Sequence, residues 1–420
     1  MKKTIRDFDL NKKRVLIRCD FNVPIKNEII TDDNRIVESL PTIEYARSKG
    51  AKVILFSHLG KVKTEEDKGN KSLRVVSVRL SELLNCDVIF VPVTRGRELE
   101  DAISNMNYGD VLLVENTRFE DLNNKAESGN NPELGKYWAS LGDIFINDAF
   151  GTSHRAHASN VGIASNLPSG IGFLIEKELS SLDVLKTPER PYYVILGGAK
   201  ISDKIEIVSS LVTHADKILI GGGMAFTFLK AKGYEIGDSI CENDKIDEAK
   251  AIMEKAKKQG VKIVLPQDTR VAKEFSNEAP DKLVDSDKIP EGYQGLDIGP
   301  KTFMTFSNEL KDAKTILWNG PLGVCEFEKY TIGTEQVAEA IAQNKEAVSV
   351  VGGGDSVAAI KRLGLEKEFT HISTGGGASL ELLEGKVLPG LACLTDKEEK
   401  TCEKCGNMNE NKLQKEDIQK

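Results

Sequence analysis

The chain has 420 residues, more than one hydrophobic core usually organises, so two domains are expected. Hydrophobic residues at 40% and charged residues at 29% describe a packed globular protein and exclude an extended disordered one. With 57 basic against 65 acidic residues the formal charge is −8, which argues against nucleic acid or an anionic membrane as the main partner and leaves room for a local basic pocket.

The N-terminal stretch MKKTIRDFDLNKKRV has no apolar centre of signal-peptide length, and no apolar run approaches the roughly 18 residues of a membrane span. Cysteines at 19, 86, 241, 325, 393, 402 and 405 are odd in number and widely spaced. They predict no disulfide framework and a reducing, cytoplasmic setting.

In chain order, one pattern recurs. A short apolar run ends in Gly, Asp, Asn or Ser, and a helix-like stretch follows. The first half carries RVLIRCDFN (14–22), KVILFSHLG (52–60), DVIFVPV (87–93), DVLLVENTRF (110–119) and DIFINDAFG (143–151). The stretch GIGFLIEKELSSLDVLKTPERP (170–191) reads as one amphipathic helix stopped by Pro188 and Pro191. The second half carries YYVILGGAK (192–200), KILIGGGMA (217–225), KIVLPQD (262–268), TILWNGPLG (315–323), VSVVGGGDS (348–356) and FTHISTGGG (369–377). Continuously apolar strands alternating with helices predict parallel sheets covered on both faces. The strands are too many for one open sheet. The expected fold is therefore α/β, with two doubly wound parallel-sheet (Rossmann-like) lobes over 1–170 and 188–379, joined by a hinge helix at 171–187. The polar segment 397–420 reads as a solvated tail. Its Cys402-x-x-Cys405 pair is half of a zinc motif with no second half in suitable spacing.

Ligands of open parallel sheets bind beyond the carboxyl ends of the strands. Gly221–Gly223, Gly352–Gly354 and Gly375–Gly377 all sit there, each before a helix. Glycine permits close backbone approach, and a helix start offers free N–H donors, so phosphate binding is the reading weighed against tight turns. Neither GxxxxGK[ST] nor GxGxxG occurs, which leaves a P-loop enzyme or a dinucleotide-dependent dehydrogenase unsupported. In GGAKISDK (197–204), Lys200 and Lys204 are spaced to share one helical face and neutralise phosphate. Asp355 suits a carboxylate holding Mg2+ on bound phosphates, or a helix cap. The strand ends of the first half collect Arg18, Asp20, Asn22, Arg35, His58, Lys61, Arg118, His154, Arg155 and His157, a cationic rim for a small multiply charged anion. Phosphoryl transfer needs such positioning and charge neutralisation more than covalent groups. A hinged binding protein without catalysis is the competing class; it has no need of a metal site beside a nucleotide.

RCDFNVP, SHLGK, ENTRF, FGTSHRAHAS, GGAKISDK, GGGMAFTF, GLDIGP, WNGPLGVCE, GGGDS and STGGGAS, in this order, make the chain resemble the phosphoglycerate kinase family from about residue 3 to 396. The resemblance implies Mg2+-dependent transfer from 1,3-bisphosphoglycerate to ADP, giving 3-phosphoglycerate and ATP, in a monomer whose lobes close about a hinge. It implies that 380–396 returns to the first lobe. Substrate-binding positions fall on Asp20, Asn22, Arg35, His58, Lys61, Arg118 and Arg155. Nucleotide positions fall on Lys204, Gly222, Gly295, Leu296, Asn319, Glu326 and Gly353, Gly354, Asp355 and Ser356. Arg35, Lys200, Lys204, Gly376 and Gly377 are implied to act on the transferring group, and Asp355 to bind the metal. The sequence departs from the family pattern where Lys61 replaces an Arg, Val62 a Pro, Cys325 a Phe and Ser356 a Thr, and the tail is additional. A lysine keeps the positive potential at 61 but not the bidentate fork.

Overall fold

The computed structural model describes residues 1–397, so the Cys402/Cys405 pair lies outside the described residues. Each apolar run became a strand. In the first lobe these are β1 (Arg14–Arg18), β2 (Lys52–Phe56), β3 (Val88–Val91), β4 (Val111–Val114) and β5 (Ile144–Asn147), joined by β6 (Ser169–Ile171). They form one parallel sheet in the order β3-β4-β2-β1-β5-β6. In the second lobe β7 (Tyr192–Leu196), β8 (Lys217–Ile220), β9 (Lys262–Val264), β10 (Thr315–Asn319), β11 (Val348–Gly352) and β12 (His371–Ile372) form a second parallel sheet, β9-β8-β7-β10-β11-β12.

Burial explains why the strands read as unbroken apolar runs. Leu16, Ile54 and Phe145 face one core, while Val15, Ile17, Val53 and Ile146 face another on the opposite side of the same sheet. The second sheet divides in the same way, with Val194 and Leu196 on one face and Tyr193, Ile195 and Trp318 on the other. Fully burying such a side chain contributes about 1.5–3 kcal/mol, so neither face tolerates the polar alternation of a half-exposed strand.

Two features differ from the sequence reading. The expected hinge helix is shorter: β6 takes Ser169–Ile171, and the helix itself, α2, spans Phe173–Asp183. Gly170 lets β6 run close to the first residues of the chain, where a Cβ would lie 2.8 Å from the Lys3 carbonyl oxygen. The second lobe also carries an antiparallel sheet of Asp268–Ala272, Asp281–Asp285 and Gln294–Ile298. Its strands carry charged and polar residues, so they lack the apolar signature of the central sheets.

The chain returns to its start after the second lobe. Lys3 N–H donates to the Thr395 carbonyl (2.9 Å), Lys2 bridges to Asp396, and Gly390 N–H donates to the Ser153 carbonyl (2.9 Å). No helix among the described residues is long and apolar enough to cross a membrane.

Candidate active site

Each sheet reverses its strand order once, between β1 and β5 in the first lobe and between β7 and β10 in the second. A crevice opens at such a switch point because the flanking connections leave on opposite faces. The polar residues singled out by the sequence gather at these two crevices.

In the first lobe, the loop after β1 carries Asp20, which accepts a hydrogen bond from Arg35 Nη1 (2.7 Å) near the start of α1 (Asn34–Ser48). Burial favours the neutral Asp20, but the Arg35 guanidinium, with Arg18 behind it, holds its carboxyl below the usual range. Asn22 Oδ1 accepts from Gly60 N–H (2.8 Å), which ties this loop to the one after β2. Arg118 Nη1 donates to Asp121 (2.7 Å) and its Nη2 lies 3.4 Å from His157 Nε2. Lys61 and Arg155 are exposed, and no hydrogen bond from either side chain occurs among the described residues.

The rim is less uniformly cationic than the sequence suggests. Arg18 is wholly buried, with Nε donating to Ser159 Oγ (2.8 Å) and Nη2 lying 3.3 Å from His58 Nδ1. Burial and the adjacent guanidinium drop the His58 pKa to about 3; burial, Arg118 and Arg18 drop that of His157 to about 2. Both imidazoles are therefore neutral near pH 7. Beneath them Glu127, fully buried, accepts from Ser159 N–H (2.9 Å) and from the Ser159 hydroxyl. Sequence reasoning missed Glu127 and Ser159. Glu127 lies in a polar stretch that carries no motif, Ser159 closes FGTSHRAHAS without standing out by residue type, and only the fold brings them under Arg18.

In the second lobe Gly223, Gly353 and Gly376 each precede a helix, respectively α4 (Met224–Ala231), α5 (Gly354–Arg362) and α6 (Gly377–Leu383). Lys200 and Lys204 do not share a helical face. Residues 197–204 form a loop, and α3 begins only at Ile205 (Ile205–Leu211). Lys200 is exposed. The Lys204 ammonium folds back and donates to the Gly197 carbonyl (2.7 Å), the Asn319 carbonyl (2.8 Å) and Asn319 Oδ1 (2.7 Å), joining the ends of β7 and β10 at the switch point. Burial lowers its pKa to about 8, opposed by Asp203 and Asp355. Ser356 is buried, and its hydroxyl oxygen accepts from Gly320 N–H (3.1 Å). Asp355 is exposed in the first turn of α5.

Beside this loop lies a largely apolar cavity of about 380 Å3, whose wall includes Gly222, Gly295, Leu296, Glu326 and Asp355. Gly222 has φ +66°, and a Cβ there would lie 2.7 Å from Gly198 N, so the loops after β7 and β8 meet backbone to backbone. Phe275 lines the cavity and packs edge-on against Phe327, with ring centroids 4.9 Å apart. The cavity wall passes from Val324 to Glu326 without Cys325, whose thiol lies 3.6 Å from Thr334 Oγ1. A second cavity, of about 250 Å3, lies between the lobes; Asn22 and Arg35 line it from one side and Gly353, Gly354 and Gly376 from the other. The first turn of α5 thus borders both cavities. Gly377 lies just outside, where a Cβ would be 3.7 Å from His154 Nε2.

A largely apolar cavity, helix starts with free amides, a half-buried lysine and a guanidinium group facing them across the cleft define a two-lobed phosphotransferase. The phosphoglycerate kinase family model matches residues 5–386. The chain is 62% identical to a phosphoglycerate kinase of Enterococcus faecalis over 398 residues, which cover 94% of this chain and all of that protein. It is 61% identical to one from Lacticaseibacillus casei over the same shares. The solved phosphoglycerate kinase of Coxiella burnetii superposes with a TM-score of 0.80 at 40% identity, covering 94% of this chain and 98% of that one. That of Pyrococcus horikoshii superposes with 0.81 at 33% identity, covering 93% and 98%. The chain belongs to the phosphoglycerate kinase family.

Proposed function

We propose that the two crevices work as one site, with the first lobe (1–170 and 380–396) holding the three-carbon anion and the second (188–379) holding the nucleotide. The reaction is that of the family: a phosphoryl group passes between 1,3-bisphosphoglycerate and ADP, giving 3-phosphoglycerate and ATP, a step of glycolysis. The observation that carries this division is the cavity shared by Arg35 and the glycine amides of Gly353, Gly354 and Gly376.

Asp20, Asn22, Arg35, His58, Lys61, Arg118 and Arg155 bind 3-phosphoglycerate. The guanidinium groups supply charge, and the neutral His58 supplies a hydrogen-bonding nitrogen. Gly222, Gly295, Leu296, Asn319 and Glu326 receive the nucleoside, and Gly353 to Ser356 its phosphates. Arg35, Lys200, Lys204 and the amides of Gly376 and Gly377 neutralise the group in flight, which carries its charge on three equatorial oxygens. The lobes close about α2 to bring these groups together and exclude water.

Asp355 is the residue to hold Mg2+. The donor chemistry fits: one exposed carboxylate beside helix-start amides leaves most coordination positions to phosphate oxygens and water, as this ion prefers. No cluster of three or more His, Cys, Asp or Glu offers a protein cage among the described residues. When bound, the ion supplies charge neutralisation on the nucleotide phosphates. Both crevices come from one chain, which supports a monomer, and the free thiols of Cys19, Cys86, Cys241, Cys325 and Cys393 suit the cytoplasm. A coupled assay of ATP plus 3-phosphoglycerate, with and without Mg2+, tests the reading. Metal-dependent turnover is expected, and none would overturn it.

A further inference from the structure

Asp148 follows β5 at the first lobe's switch point and is wholly buried. Its N–H donates to the Arg18 carbonyl (2.8 Å), so it is fixed to the end of β1. Its Oδ1 accepts from Leu174 N–H (2.9 Å) and Ile175 N–H (3.3 Å), the first turn of α2. Gly172 makes this approach possible, because a Cβ there would lie 2.3 Å from Asp148 Cγ. Three residues on from Asp148, a Cβ at Gly151 would lie 2.9 Å from Asp20 Oδ2 and 3.3 Å from the Thr374 carbonyl of the second lobe. Further along α2, Glu178 accepts from Thr374 N–H (2.6 Å) and from the Ser373 and Thr374 hydroxyls (2.8 Å each), beside the glycine loop that precedes α6. One helix is thus fastened at its start to the anion crevice and at its middle to the phosphate loop.

We propose that Asp148 is a positioning residue: it clamps the start of the interlobe helix to the floor of the anion crevice, so that the two halves of the site meet in register when the lobes close. It touches neither substrate. Its effect passes through α2 to Thr374–Gly376 and through Gly151 to Asp20. This rests on the assignment of the two crevices given above.

The state of the carboxyl follows from its surroundings. Burial pushes its pKa up to about 7, opposed by Thr42 and the two helix amides. The ionisable neighbours are the Cys19 thiol at the end of β1 and Glu38 on α1, neither of them a cation. A folded-state value near 7 against an ordinary 3.8 means that the native protein keeps this proton while the unfolded chain releases it. Stability from this group is therefore lost as pH rises from about 4 to about 7.

Two variants test the clamp. In Asp148→Ala, kcat should fall roughly ten- to hundred-fold, the cost of slight misplacement of reacting groups. Calorimetric Kd values for 3-phosphoglycerate and for ADP, each alone, should stay within about twofold, because each pocket is intact. Asp148→Asn keeps an accepting oxygen and carries no charge. It should restore kcat, and its melting temperature relative to the unaltered protein should rise between pH 5 and pH 8. Unchanged kcat in Asp148→Ala, measured well below its melting temperature, would make Asp148 a stabilising cap alone and overturn the proposal. If the alanine variant does not fold, the asparagine variant decides: a folded protein that has lost turnover sinks the neutral clamp. Loss of 3-phosphoglycerate binding in a folded Asp148→Ala would instead show that the residue serves that pocket rather than its alignment.

Discussion

Most polar groups of the first lobe's crevice are side chains that arrive already paired, Lys61 and Arg155 being the exceptions. Arg35 rests on Asp20, Arg118 on Asp121, and Arg18 on Ser159 above Glu127. In the second lobe the groups are mostly backbone, namely the starts of α4, α5 and α6, with the half-buried Lys204 drawn across β7 and β10. The difference suits the ligands proposed for each lobe. A small, compact anion can be matched by a preset array of guanidinium groups, which hold their geometry only if counter-charges fix them when empty. A chain of phosphates needs close approach along its length, which bare amides at glycine allow. The first lobe should therefore be fragile to loss of side chains and the second to gain of them.

The largest effect should come from the exception in the second lobe. Lys204→Ala should lower kcat roughly 10²- to 10³-fold while 3-phosphoglycerate binding changes little, as for loss of a group that acts mainly on transition-state charge. Steady-state kinetics check this, and near-normal turnover would remove Lys204 from the mechanism. Because burial holds its pKa at about 8, the amine is charged below that value and neutral above it. The kcat/KM for nucleotide should accordingly fall as pH rises through 8 in the free enzyme.

Arg35→Ala should come next. It removes a cation facing the glycine amides and leaves Asp20 buried without its partner. A loss of roughly 10²-fold in kcat, with weaker 3-phosphoglycerate binding, is expected from removing the partly exposed cation of a pair whose carboxylate is buried. Unchanged kcat would confine Arg35 to ground-state binding.

The opposite operation tests the backbone-built wall. At Gly295 a Cβ would lie 2.1 Å from Phe226 Cζ and 2.9 Å from Thr269 Cγ2. Gly295→Ala must displace the Phe226 ring, which lines the same apolar cavity. It should raise the KM for nucleotide roughly tenfold and leave that for 3-phosphoglycerate alone. A rise in both would mean that the wall supports the whole lobe rather than one pocket.

The same contrast governs what could be read from the chain. The two sheets were legible because strands buried on both faces must be apolar throughout, as Val15 to Ile17 and Tyr193 to Leu196 are. The antiparallel sheet was not, because Asp281–Asp285 is largely exposed and carries charge. Glycine starts of α4, α5 and α6 were legible, since backbone approach demands a local residue type. The rim of the first lobe was only half legible. Residue types revealed Arg18, His58 and His157 as polar at strand ends, but not that burial would make the imidazoles neutral or that Glu127 would lie beneath them. Charge state depends on neighbours brought together by the fold, and no local pattern encodes them.

The smallest effect is expected where neither lobe is involved. The Enterococcus relative is matched over its whole length by 94% of this chain, so the family's machinery is complete without the final segment. Lys397 still belongs to the lobe: its N–H donates to the Met1 carbonyl (2.8 Å) and its ammonium lies 3.0 Å from Asp7. A truncation placed after Lys397 should leave kcat and both KM values within about twofold, as for removal of a polar terminal segment beyond the family's matched residues. The coupled assay and a melting curve check it together. A fall in kcat with an unchanged melting temperature would bring the segment, with Cys402 and Cys405, into the catalytic cycle. It would also mean that the division between the two lobes leaves out a third working part.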